Sequence, residues 1–142
     1  MPSRSYFRNL LKKYSKYIKH PIILNIKPIT AKPGHTTVKI DFSLTDSNCF
    51  YGQTSLRIRE WYDQNGVKYQ YRYCWEISPD KEDHITAWEN EYHAVMNFKD
   101  KPHHHHHVPF DRSQKQNNPD VRDIEDAFEK IKPYLENGKT YP

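Results

Sequence analysis

The sequence contains only four glycines and two cysteines, and it has no long apolar run. So few glycines argue against the glycine-rich loops that hold nucleotide phosphates. Cys49 and Cys74 have neither the spacing of a zinc-binding pair nor the density of a disulfide scaffold, which fits a reducing compartment. Without a long apolar run, the sequence offers no candidate for a membrane span or a signal peptide. We therefore expect a cytoplasmic protein that does not associate with membranes.

Aromatic residues are abundant although other apolar residues are scarce. The hydrophobic fraction is 35% and the aromatic fraction is 14%, with eleven tyrosines. This composition predicts a small core that is built largely from aromatic rings. A chain of 142 residues is long enough for one such core. No segment has the composition of a linker, so we predict a single domain over residues 1–142.

Basic charge is concentrated at the start of the chain. Residues 1–40 contain nine Lys or Arg and no acidic residue, whereas the remainder carries 13 basic and 18 acidic residues. Residues 3–18 place apolar side chains at helical spacing with cations on the opposite side, which predicts an amphipathic basic helix. A basic excess favours a polyanionic partner such as RNA, and a solvated basic face is the alternative. Lys12 and Lys16 are candidates for phosphate contact.

Strand signals occupy the middle of the chain. Residues 37–45 alternate apolar and polar side chains, and Asn65-Gly66 is a strong signal for a hairpin turn. The strand that follows is expected to carry Lys68 on its polar face. A last helix over about residues 119–135 is predicted, with Pro133 ending or kinking it near residue 132. The fold class is therefore α+β: two helices packed on a mostly antiparallel meander of four to six strands, in two layers, with the sheet between about residues 22 and 108.

The five consecutive histidines at 103–107 are expected in a long loop. If this segment is extended, His105 and His107 project to one side and His104 and His106 to the other. Imidazoles that lie close together repel when protonated, so a neutral and a charged histidine can coexist near pH 7. A base and an acid are then available at one pH.

Transesterification of RNA needs such a pair. A base takes the proton of the ribose 2′-OH, an acid protonates the leaving 5′-oxygen, and a cation such as Arg72 or Arg59 stabilises the phosphorane. The alternative at this point is a solvated histidine-rich loop with adventitious metal affinity.

Several short segments resemble one known family. They are EWY at Glu60, the strand YQYRYCWE, the segment AWENEYH, and a proline-led HHHHHV before the last helix. Over about residues 36–135 the chain is similar to the TumE-like toxins of prokaryotic type II toxin-antitoxin modules. Trp88, Glu89 and Asn90 match an Arg/Trp-Asp-Asn motif of that family, with Glu in place of Asp, and His104, His105 and His107 match its Pro-His-His-x-His motif. The resemblance implies a small toxin with RNase activity that a cognate antitoxin protein neutralises.

The leading hypothesis is a metal-independent endoribonuclease that needs no cofactor and acts on RNA. His105 and His107 serve as base and acid, with His104 as a further candidate, and Glu89 or Glu60 orients one imidazole. The predicted substrate contacts are Arg72, Tyr73, Trp88, Asn90, Arg59, Lys12 and Lys16.

Two alternatives use a metal ion. In the first, the protein is a non-catalytic nucleic-acid- or protein-binding module, and His93, His105 and His107 hold a structural zinc together with Glu89 or Glu91. In the second, the same ligands leave one coordination position open for water, and the protein is a metal-dependent hydrolase.

Overall fold

Two helices lie on one face of an antiparallel sheet. The structure, a computed structural model, describes residues 1–77, 84–91 and 104–142. Seven strands in these residues follow chain order across the sheet. The predicted α+β class is confirmed, with more strands than the four to six expected. The elements are α1 Arg4–Lys13, β1 Ile18–Pro28, β2 Thr36–Leu44, β3 Thr54–Tyr62, β4 Lys68–Ile77, β5 His84–Glu89, β6 His105–Val108, β7 Asp111–Asn117 and α2 Ile124–Glu136.

The core lies between the helices and one face of the sheet. Alternate residues of β2 and β3 are buried on this face, and the sequence pattern predicts this alternation for β2. Phe128 of α2 stacks on Tyr14, with ring centroids 4.4 Å apart, and meets the edge of Phe42 of β2 at 5.3 Å. Large rings thus join both helices to the sheet. Within the described residues, neither helix has the length and apolar character needed to cross a membrane.

Helix α1 begins as predicted but ends earlier. The side chain of Ser3 caps it by accepting a hydrogen bond from the backbone N–H of Tyr6. The helix ends at Lys13, a short 3-10 turn follows at Ser15–Tyr17, and β1 starts at Ile18. The predicted helix over residues 3–18 is therefore too long. Ile18 pairs with Leu44 and is buried, so it gains both a sheet partner and a place in the core.

Helix α2 also differs from its predicted bounds. It begins at Ile124 rather than near residue 119, because Asn118 forms a separate turn by accepting a hydrogen bond from Val121 N at 2.9 Å. It continues through Pro133 to Glu136, close to the predicted limit at about residue 135, so Pro133 does not end it. Proline removes one backbone hydrogen bond, and the burial of Leu135 holds the last turn against the core.

Asp123 is the N-cap of α2, and its loss should destabilise the protein. Its side chain accepts a hydrogen bond from the backbone N–H of Asp126 at 2.8 Å. We expect Asp123→Ala to lower the free energy of unfolding by about 1 kcal/mol, measured by urea denaturation. Asp120→Ala is the matched control, because it removes an exposed carboxylate that forms a surface ion pair with Lys130, and a change within about 0.5 kcal/mol is expected. Equal losses in both variants would contradict the capping role.

A bulge moves one side chain from its predicted face. The Asn65-Gly66 hairpin joins β3 and β4 as expected, but the register shifts between Trp61 and Tyr62. Tyr62 pairs with Lys68, and the extra residue in β4 reverses the side of the sheet to which the first side chain of the strand points. Lys68 therefore reaches the helix-covered face, where its Nζ lies 3.2 Å from Glu60 Oε2. The prediction that Lys68 lies on the opposite face is wrong.

The histidine segment is a strand rather than the predicted loop. His105–Val108 form β6, which pairs with β5 on one side and with β7 on the other. Strand β7 has the sequence DRSQKQN and no apolar alternation, and it extends the sheet beyond the predicted limit at residue 108. Among the described strands it is the last in the sheet order, and most of its side chains are exposed.

Candidate functional site

The sheet register brings a carboxylate, an arginine and a histidine into one line. Glu89 of β5 pairs with Arg72 of β4 and with His105 of β6. Directly opposed residues project to the same face, so all three lie on the face that the helices do not cover, which we call the open face. His107, two residues further along β6, lies on the same face. Glu89, His105 and His107 are buried.

Glu89 contacts both imidazoles through one oxygen. Its Oε1 lies 3.1 Å from His105 Nε2 and 2.5 Å from His107 Nε2. Its other oxygen lies 3.7 Å from Arg72 Nε. A carboxylate can only accept hydrogen bonds, so each Nε2 carries a hydrogen, and Nδ1 is the ring nitrogen that Glu89 does not contact. We call Glu89, His105 and His107 the carboxylate–histidine group.

The group keeps Glu89 ionised. Burial by itself raises the pKa of this carboxyl, but the hydrogen bonds from His105 and His107 and the charge of Arg72 outweigh burial, and the pKa falls well below its usual range. Glu89 is therefore an anion at neutral pH. An anion at this point orients the imidazoles and stabilises either of them when it is protonated.

His84 is a member of this neighbourhood that the sequence did not indicate. It is buried, and its ring centroid lies 5.8 Å from that of His107. Simple alternation along β5 would separate His84 from Glu89. The register shifts, however, so that Trp75 pairs with Thr86 while Glu76 pairs with His84. A bulge cannot be read from this sequence, and no other signal marked the residue.

Three predicted site residues lie on the opposite face, against the helices. Tyr73 and Trp88 are 0% and 2% exposed, and their rings belong to the aromatic core between the sheet and the helices. His104 Nδ1 lies 3.0 Å from the hydroxyl of Tyr71, also on that side. The alternation expected within the histidine run is thus present, and it separates His104 from the carboxylate–histidine group.

Glu60 belongs to a different cluster on the helix-covered face. Its carboxylate accepts hydrogen bonds from the hydroxyls of Tyr73 at 2.5 Å and Tyr62 at 2.9 Å, and from Lys68. Burial and the charge of Glu60 together raise the pKa of Tyr73 well above its usual value. The structure does not bring Glu60 to the histidines, and the carboxylate that contacts them is that of Glu89.

The remaining predicted contacts are divided between the two layers. Arg59 lies on the open face, where its guanidinium donates to Asp41 at 3.0 Å. Asn90 uses its amide on the backbone of β4, accepting from Tyr71 N and donating to Tyr69 O. Lys12 and Lys16 lie in the helical layer, away from the open face, and Lys16 pairs with Glu136.

The carboxylate–histidine group could also hold a metal ion. One ligand atom from each of Glu89, His105 and His107 can be chosen so that all three lie within 4.8 Å of one another. Two imidazoles and one carboxylate form a ligand set that suits zinc. The fourth predicted ligand, His93, lies outside the described residues.

Taken with the sheet topology, this arrangement defines an α+β protein whose open sheet face carries a histidine–carboxylate site. Residues 12–138 match the family described as Toxin TumE, and the chain belongs to that family. The resemblance noted in the short motifs is confirmed, over a longer part of the chain than those motifs cover. Membership gives the protein a toxin role and implies a cognate antitoxin as its partner. No curated protein and no solved structure gives a significant match.

Proposed function

We propose that this toxin is an endoribonuclease that cleaves RNA by histidine acid–base catalysis on the open face of its sheet. One observation carries the proposal: a single ionised carboxylate contacts two imidazoles, and an arginine lies beside it. These are the groups that phosphodiester transesterification needs, namely a base, an acid and a cation.

The reaction requires no added water or oxidant. One imidazole takes the proton of the 2′-OH at its Nδ1, and the 2′-oxygen attacks phosphorus. The bond from phosphorus to the 5′-oxygen breaks, and the other imidazole gives a proton to that oxygen. Arg72 stabilises the phosphorane charge. The products are a 2′,3′-cyclic phosphate and a 5′-OH, and the two histidines have exchanged protonation states.

Glu89 supports both proton transfers from the opposite side of the rings. Because each Nε2 donates to its Oε1, neither ring can rotate without losing a buried hydrogen bond. The carboxylate also stabilises the imidazolium that forms when a ring accepts the substrate proton. His107 retains 9% of its side-chain exposure and His105 none, so we assign direct contact with the incoming 2′-OH to His107. His105 is then the acid for the 5′-oxygen, and its ring must become exposed when RNA binds.

Substrates that lack one 2′-hydroxyl test this mechanism. An RNA oligonucleotide with a single 2′-deoxy nucleotide at the mapped cleavage position should not be cut there, because the internal nucleophile is missing. The same deoxy substitution one nucleotide further along should leave cleavage at the original position intact. Cutting at the deoxy position would contradict attack by the 2′-oxygen.

A metal-binding role is the second candidate, favoured by the convergence of Glu89, His105 and His107. The two roles exclude each other at these atoms, since an imidazole that ligates a metal through Nε2 cannot donate that hydrogen to Glu89. The metal role takes one of two forms, a structural zinc in a binding module or the metal of a hydrolase.

Metal removal should leave the protein and its activity unchanged if the acid–base proposal holds. We expect cleavage in excess EDTA at the untreated rate and an unaltered melting temperature. A stoichiometric metal in the purified protein, with a large fall in melting temperature on chelation, would instead support a structural ion. Cleavage that stops in EDTA and returns with added zinc or manganese would support a metal-dependent hydrolase.

A further inference from the structure

One row of side chains crosses the open face from β1 to β7. The register of six strand pairs places one residue of each strand opposite the next without interruption. In order from β1 to β7 the row is Asn25, Lys39, Arg59, Arg72, Glu89, His105 and Asn117. Three consecutive members are cations, and the next two belong to the carboxylate–histidine group.

The spacing of the row suits an extended polyanion. Neighbouring strands lie about 4.8 Å apart, so Lys39 on β2 is about 19 Å from His105 on β6. Lys39, Arg59 and Arg72, which we call the cation row, occupy successive steps of this line. The span corresponds to about four nucleotides, the lower end of what small single-strand-binding domains cover.

We propose that the cation row binds successive phosphates of single-stranded RNA and leads the strand to the carboxylate–histidine group. The choice of RNA rests on the proposed function. The row accounts for how a shallow sheet face holds a flexible substrate, since each cation meets one phosphate and the last cation, Arg72, lies beside the reacting groups. It adds Lys39, which the sequence did not indicate, to Arg59 and Arg72.

Two features beside the cation row support this path. Trp61 pairs with Thr37 and Gln70 on the open face and is half-buried, so its ring is available to stack on a base. At the β1 end the row opens into a cavity of about 210 Å³ lined by Asn25, Lys27, Pro28, Ile29, Thr37 and Lys39. Two lysines in this lining suit a further phosphate.

Asp41 provides a test in which RNA binding should become tighter. It is on the open face next to the row, its side chain is 60% exposed, and it contacts Arg59 at 3.0 Å and Arg57 at 3.6 Å. Its negative charge opposes a phosphate at Arg59. Asp41→Asn keeps the shape and an accepting oxygen while removing that charge, so this variant should bind RNA more tightly than the wild type.

The experiment measures binding of 2′-O-methyl RNA oligonucleotides of two to eight nucleotides by fluorescence anisotropy over a series of salt concentrations. These probes lack the 2′-OH, so binding is measured without cleavage. Affinity should rise with length up to about four nucleotides and then level off. With three phosphate contacts, the slope of log affinity against log salt should be about −2 for the wild type.

Loss of one cation of the row should change both the salt dependence of RNA binding and its affinity. Lys39→Ala and Arg59→Gln should each reduce the magnitude of the slope by about 0.7 and weaken binding about fivefold at about 0.1 M salt. Arg8→Ala is the matched control, because it removes one exposed cation from the helical layer and should leave both values unchanged. Lys39 is exposed, so its variant should fold normally, which circular dichroism checks.

The outcomes separate this proposal from the proposed function. If binding depends on the cation row but natural RNA is never cleaved, the row is supported and the catalytic proposal fails. If RNA is cleaved but the row variants bind like Arg8→Ala, the row is overturned and the catalytic proposal stands. If the row variants no longer bind the antitoxin but still bind RNA, the row is an antitoxin-binding surface and the proposal is overturned. The proposal is also overturned if the wild-type protein binds no RNA.

Discussion

Replacing both His105 and His107 by alanine is expected to reduce RNA cleavage by about 10⁴-fold, because a positioned acid or base contributes about 10²–10⁴-fold to a rate. Both imidazoles are needed, since one takes a proton while the other gives one. The change should appear in the rate constant of the chemical step, measured by single-turnover cleavage of a labelled oligonucleotide. Binding of the 2′-O-methyl probe should change much less, because the cation row remains.

His106→Ala is the control for this double variant. His106 lies between the two residues in sequence, but it pairs with Trp88 and faces the helices. Its pKa is lowered by burial, so it is neutral at pH 7 and is not a source of protons for the open face. His106→Ala should retain cleavage at close to the wild-type rate. Equal loss in the control and the double variant, or full activity in the double variant, would contradict the assignment. Circular dichroism establishes that each variant is folded, which matters because His105 is fully buried.

Glu60→Ala is expected to lower the free energy of unfolding by about 3–5 kcal/mol, the cost of breaking a buried ion pair by removing one partner. Glu60 is 2% exposed and accepts from two tyrosine hydroxyls and from Lys68. Without it, the Lys68 ammonium, on a side chain 23% exposed, keeps only the Tyr73 hydroxyl and the Arg122 carbonyl as hydrogen-bond partners among the described residues. Urea denaturation at pH 7 measures the loss.

A surface ion pair provides the comparison for Glu60. Glu136 pairs with Lys16 at 3.0 Å, and both side chains are largely exposed, at 44% and 75%. Glu136→Ala should cost less than about 1 kcal/mol, because water screens such pairs. If Glu60→Ala unfolds at the wild-type urea concentration, the Glu60 cluster does not stabilise the fold as described.

Local patterns predicted much of the fold. The alternation of β2 and the Asn65-Gly66 hairpin depend on neighbouring residues, and the structure contains both of them. The side chains of His104 and His105 point to opposite faces of the sheet, which strand alternation also predicted. A strand such as β7 could not be foreseen, because its own sequence is polar and its place in the described part of the sheet depends on pairing with β6.

The candidate site was predicted only in part, because local sequence patterns do not show which residues face each other across neighbouring strands. His105, His107, Glu89 and Arg72 were all named from sequence, but their meeting depends on which residues face each other across three strands. Register is a long-range property, and the bulges that place Lys68 and His84 alter it by one residue. Tyr73 and Trp88 were mistaken for surface contacts because an aromatic residue in a strand suits either a core or a binding face.

The chemistry at the carboxylate–histidine group is tested most directly by the 3′ ends of the RNA fragments. The measurement uses purified wild-type protein, a labelled RNA and excess EDTA, with the fragment ends identified by mass spectrometry. The account predicts 2′,3′-cyclic phosphate ends, since the 2′-oxygen is the nucleophile. Fragments that carry 3′-OH and 5′-phosphate ends would show attack by water and contradict it.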